Sequence, residues 1–147
     1  MFNRREKKIA DIKASFGKEK DEVYDFEQIE AYFKRADKTN VFHTINDRTC
    51  NDLDFEEFFM IADRTTTKVG QQYLYAKLRS VTNEQPDFKE QEKVNSFLKP
   101  YPEKREIIQY QLSRLSKRNA LFISKLFQEV SIKPPKWFGI IQLLSIL

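Results

Sequence analysis

Three glycines, Gly17, Gly70 and Gly139, and five prolines are the whole supply of these two turn-forming residues in 147 positions. A fold of many short strands needs them at most hairpins, because glycine reaches left-handed backbone without strain and proline pre-sets the turn. Helices need few of them. The scarcity therefore predicts an all-α chain before any periodicity is counted, and 13 Phe and 6 Tyr supply material for a packed core. One domain of ordinary size accommodates this length.

Apolar spacing places the helices. Ile9, Ile12 and Phe16, with Phe2 one heptad before Ile9, predict an amphipathic first helix that Gly17 can end. A second is expected from about Tyr24 to Asp37, with Phe26, Ile29 and Phe33 on one stripe. Residues 38–52, rich in Thr, Asn and Asp, read as loop with one short extended piece around Val41 to Ile45. Asp54, with Glu57 three residues on, has the form of an acidic capping box. The helix behind it, "FEEFFMIA", is apolar nearly all round from Phe58 to Ala62 and is expected to be central. Asp63 ends it by accepting from amides two residues ahead, and Thr65, Thr66 and Thr67 offer caps for the next helix.

That helix contains Gly70, which costs roughly 0.5–1 kcal/mol relative to alanine in a helix interior. Leu74, Leu78 and Val81 follow it on one stripe, so the glycine is expected on the buried face, where a missing side chain lets another backbone come close. Phosphate binding by the helix start is the competing explanation, and one glycine among threonines makes no Gly-rich cradle. After Pro86, Phe88, Val94, Phe97 and Leu98 are placed inward. Pro100 and Pro102 frame the next start, and Ile108, Leu112, Leu115, Asn119, Phe122 and Leu126 repeat at the spacing of a helix packed along a neighbour. Asn119 on that seam marks either a break near Ser116 to Asn119, the preferred reading, or a buried polar residue. Pro134 and Pro135 suit the first turn of a last helix. The expectation is about seven helices, with no fixed-period repeat.

Several chemistries are excluded or weakened. A P-loop needs glycines, then Lys and Ser or Thr, and cannot be written with these three glycines. One Cys and one His give no zinc set, so neither metal nor cofactor is expected in this chain. Cys50 and His43 form a conceivable nucleophile pair, against the simpler reading of a buried thiol and a surface or capping histidine. A single cysteine and a charged N-terminal stretch without signal-peptide form point to a reducing, cytoplasmic setting. No apolar run is long enough to span a bilayer, but "WFGIIQLLSIL" is an apolar run expected to continue beyond Leu147 as core helix or membrane span. Net charge is divided: residues 1–20 carry 7 basic and 3 acidic side chains, 21–63 carry 4 and 12, and 64–147 carry 15 and 7. Such asymmetry fits either solvated helix faces or a nucleic-acid surface.

The stretch "INDRTCNDLDFEEFFMIADRTTTKVGQQYLYAKL" resembles the start of the core domain, domain III, of the MutS family of DNA mismatch-repair ATPases. The matching positions are Thr49, then Leu53, Asp54 and Phe55, then Asp63, Thr65, Thr67, Gly70, Leu74 and Leu78. Gln72 stands where the family carries an arginine, and Lys77 where it carries a tryptophan. The resemblance implies a MutS core-domain-like helical bundle over residues 41–147, preceded by a helical extension, residues 1–40. Its implied function is that of a non-catalytic lever module linking an ATPase to DNA-contacting arms. ATP and Mg then belong to the parent protein only, and the partners are the rest of the same polypeptide, DNA through the parent, and a second copy. The competing readings are an autonomous basic DNA-binding domain, from the excess of cations after residue 63, and a membrane-proximal interaction domain, from the terminal apolar run.

Overall fold

The computed structural model describes residues 3–82 and 88–128. Among them are eight α-helices: α1 Arg4–Ser15, α2 Phe26–Arg35, α3 Asp47–Asp52, α4 Phe55–Ala62, α5 Lys68–Arg79, α6 Phe88–Leu98, α7 Pro102–Leu112 and α8 Ile123–Gln128. Two strands, β1 Val41–Thr44 and β2 Ser80–Thr82, pair antiparallel with Thr44 opposite Ser80. The chain is mostly helical, as its few glycines and prolines predict. Phe2, the run 137–147 and the helix expected at Pro134 and Pro135 lie outside the described residues.

Local chemistry sets most of the boundaries. Asp25, Asn46 and Thr67 each accept a backbone amide at the start of α2, α3 and α5, and Pro102 occupies the first turn of α7. Past the end of α1, Gly17 takes a φ of 75°, the left-handed turn that stops a helix. The segment expected as loop holds the extended piece as β1, and also the short helix α3. Between α7 and α8 the backbone tightens to 3-10 form at Ser113–Leu115 and again at Arg118–Phe122, so the break near Asn119 is present.

The core joins Ile29 and Phe33 of α2, Cys50 of α3, Phe55 and Phe59 of α4, Tyr75 of α5 and Leu121. Edge-on ring contacts order it: Phe55 and Phe59 lie 5.3 and 5.5 Å from Tyr75, centroid to centroid. Outside this core, α1 runs antiparallel to α7, with Arg105 stacked 3.5 Å from the ring of Phe16 and Arg5 5.7 Å from that of Tyr110.

Four expectations are corrected. Helix α4 is peripheral: only Phe55 and Phe59 are buried, while Phe58 and Ile61 are more than half exposed, because one face alone meets α5. The buried face of α5 carries Gln71, Gln72, Tyr75 and Arg79, leaving Gly70, Leu74 and Leu78 half-buried at its border and Val81 exposed. Phe88, Val94 and Phe97 of α6 face solvent, and only Leu98 is half-buried. The seam Ile108, Leu112, Leu115, Phe122 and Leu126 is likewise exposed, and Ala120, Leu121 and Ser124 are the buried residues there. On α5 the error has a physical source: the buried polar side chains Gln71, Gln72 and Arg79 displace the apolar stripe sideways.

Candidate functional site

The resemblance motif folds into a polar junction between α4 and α5. Asp63, completely buried, accepts from Lys20 Nζ at 2.7 Å, Gln71 Nε2 at 2.7 Å, and the amide and hydroxyl of Thr65 at 2.8 and 2.7 Å. Burial pushes its carboxyl up, and these donors together outweigh it, holding the group below the ordinary carboxylate value. Glu22 completes the network, taking Gln71 Nε2 at 2.6 Å and Lys68 Nζ at 3.0 Å. The segment before α2 is therefore strapped across the start of α5. Burial, and then the negative charge of Asp63, push the Tyr24 phenol well up, so it stays protonated.

Thr67 caps α5 by accepting the Gly70 amide at 2.8 Å. A Cβ added at Gly70 would stand 2.8 Å from that same hydroxyl and 3.3 Å from Thr65 Cβ. The close neighbour that requires glycine is thus the cap loop immediately before the helix, in place of the backbone of another helix. Asp63, Thr65, Thr67 and Gly70 act as one unit, and Leu74 and Leu78 extend it by packing against the core.

Thr49, Leu53 and Asp54 do not join them. Thr49 is exposed in α3, with its amide bonded to Asn46, and Leu53 is exposed at the end of that helix. Asp54 adopts φ 46°, the left-handed conformation that Asp tolerates better than most residues, and its side chain makes no cap bond. The expected capping box is absent because this backbone turns the carboxyl away from the amides of α4.

A second cluster surrounds Arg79, 3% exposed. Its guanidinium donates to Ile45 O at 2.6 Å, Asp47 at 2.7 Å, Glu30 at 3.1 Å and Tyr75 Oη at 3.3 Å, and lies 4.5 Å from the Phe33 ring centroid. One residue thereby ties α2, the β1–α3 turn and α5. Burial pulls its pKa down, but the bonds to Asp47 and Tyr75 raise it further, so it is permanently charged; the bond to Arg79 also holds the Asp47 carboxyl low. A cleft of about 460 Å³ opens beside it, lined also by Cys50, Asp54, Glu56 and Glu57. Burial raises the Cys50 thiol, and His43, exposed in β1, does not line the cleft, so the conceivable nucleophile pair is not assembled. Among the described residues no group of three or more His, Cys, Asp or Glu is placed to hold a metal.

Gln72 is the third buried polar anchor. Its Nε2 donates to Gln28 O at 2.8 Å and Leu121 O at 2.9 Å, joining α5 to α2 and to the 3-10 segment 118–122. Neither Gln72 nor Arg79 was assigned a role from the sequence, where a polar residue in a helix reads as solvent-facing. The only signal was Gln72's place at a position where the MutS family differs. Comparison with known protein families, with curated proteins and with solved structures gives no match.

Proposed function

We propose that this chain is a non-catalytic helical core module of a MutS-like, DNA-repair-related ATPase, transmitting movement between an ATPase domain supplied elsewhere in the polypeptide and contacts to DNA or a partner. The observation that carries this reading is the linkage Asp63–Thr65–Thr67–Gly70. These residues, which carry the family resemblance, engage one another and fix how α4 meets α5. A lever needs such a joint, where displacement of one helix is passed to the next without local bending. ATP and Mg belong to the parent protein in this reading.

The test is to sequence the gene beyond the Leu147 codon. A Walker A loop in the encoded continuation is the expected result. A stop codon immediately after Leu147 would overturn the lever reading and leave an autonomous helical domain.

A further inference from the structure

Among the described residues nothing covers the apolar stripe along α6 and α7, and its composition selects among partners. Val94 and Phe97 of α6, Tyr101 at the turn, Ile108 and Leu112 of α7 and Leu115 just beyond it are all exposed, and the rings of Phe97 and Tyr101, 6.0 Å apart, join the two parts. Lys104 is set among them, its Nζ 4.0 Å from the ring centroid of Tyr101 and 5.2 Å from that of Phe97. This is also the cationic end of the molecule. Residues 88–118 carry eight basic and four acidic side chains, whereas residues 26–62 carry four basic and eight acidic. Among the described residues Lys104, Arg114 and Lys117 stand in no ion pair. On the other flank of α7, α1 adds five basic and two acidic side chains.

We propose that the α6–α7 end docks on an anionic bilayer surface, with its apolar stripe at the boundary of headgroups and acyl chains and its cations among the lipid phosphates. Two features favour a bilayer over other occupants. A nucleic-acid interface is polar and cationic, and would gain nothing from Ile108, Leu112 and Leu115. A bilayer boundary removes them from water, while the Tyr101 ring and the Lys104 stem bridge its apolar and charged layers. A partner helix would find only three turns of regular α7 before the 3-10 tightening at Ser113–Leu115, too short a seam for stable pairing. The acidic region of α2 to α4 would be repelled by the same lipids, which orients the molecule. This inference is independent of the lever reading.

The test is co-sedimentation of the full chain with vesicles of phosphatidylcholine containing about one-third phosphatidylserine. The expected result is binding at low salt, released at roughly 0.5 M salt, and at least about tenfold weaker on phosphatidylcholine alone. Replacing Lys104, Arg114 and Lys117 together (K104Q, R114Q, K117Q) should weaken binding about a hundredfold. The pair Ile108→Ser and Leu112→Ser should weaken it about tenfold, with only a small drop in urea midpoint because both side chains are already more than two-fifths exposed. Absence of binding to the anionic vesicles, or binding indifferent to the serine pair, would overturn the proposal. So would tighter binding to a DNA duplex that ignores the serine pair, which would assign the surface to nucleic acid.

Discussion

Around α5 the rings of Phe33, Phe55, Phe59 and Tyr75 are enclosed by one another, and the charges drawn inside, Asp63 and Arg79, are bonded on several sides. Along α7 the arrangement is reversed: no residue is fully buried, Ile107, Ile108 and Leu112 are each more than two-fifths exposed, and Arg105 stacks on Phe16 at the end of α1. There the Arg105 Nε and Gln109 Oε1 atoms are buried without a hydrogen-bond partner among the described residues. Both regions hold unmatched buried polar atoms, Tyr24 Oη, Gln28 Oε1 and Gln72 Oε1 near α5 among them, so the difference lies in how completely the apolar side chains are enclosed, since buried apolar area is the main source of stability. Stability should therefore be concentrated at the α4–α5 junction and nearly absent from the outer face of α7.

The sharpest way to break that contrast is Asp63→Ala. It leaves Lys20 and Gln71 without their shared acceptor and should cost about 3–4 kcal/mol, read as a drop in urea midpoint. A loss below about 1 kcal/mol would show that the network is ornamental. The same carboxylate gives a pH signature. Its folded pKa lies below the ordinary 3.8, so its contribution is complete above that value and is lost as pH falls through the folded pKa. The midpoint should hold from neutrality to about pH 5 and fall below about pH 4, and Asp63→Asn should shrink that fall. Asp37 and Asp47, also held low, leave a residual slope of the same sign.

Gly70→Leu comes next. The new Cβ meets the Thr67 hydroxyl that caps α5, so the cap must open or the loop must shift. Overpacking and loss of the cap, offset by better helix propensity, should net about 2–3 kcal/mol of destabilisation in a thermal or urea melt. Unchanged stability would mean that the glycine is not needed for packing. At the small end, Phe58→Ser on α4 should move the midpoint by no more than about 0.5 kcal/mol, despite its place in the most apolar helix of the sequence. A larger loss would place that ring in the core after all.

The fold class was legible because it depends on the number of turn residues and on helical spacing, both visible in one dimension. So were the cap at Thr67, the Asp63–Thr65 turn and the break before Ala120, all governed by side chains within three or four residues of the backbone they bond. What failed was the choice of face. On α5 the inward positions include glutamines and an arginine whose partners, Gln28, Glu30, Ile45 and Leu121, lie 34 to 49 residues away. On α4 and α7 apolar side chains were assumed to be inward when they are exposed, because periodicity locates a stripe without saying what covers it. The candidate site was half legible: the motif marked the junction, but its second half, Lys20 and Glu22, comes from a segment with no helical pattern.

Gln72 carries a consequence for the order in which the chain assembles. Its amide reaches back to Gln28 and forward to Leu121, so α5 closes two loops of more than forty residues at one atom. Until both arrive, a buried donor waits without an acceptor, and α2 to α5 lack the lid that Leu121 provides. Closing loops of that length must precede the contacts that reward it, which slows folding and exposes aromatic surface meanwhile. During synthesis the N-terminal helices can form individually, but their core is completed only when the 3-10 segment 118–122 emerges. A nascent chain stalled before that segment should be the species most dependent on chaperones.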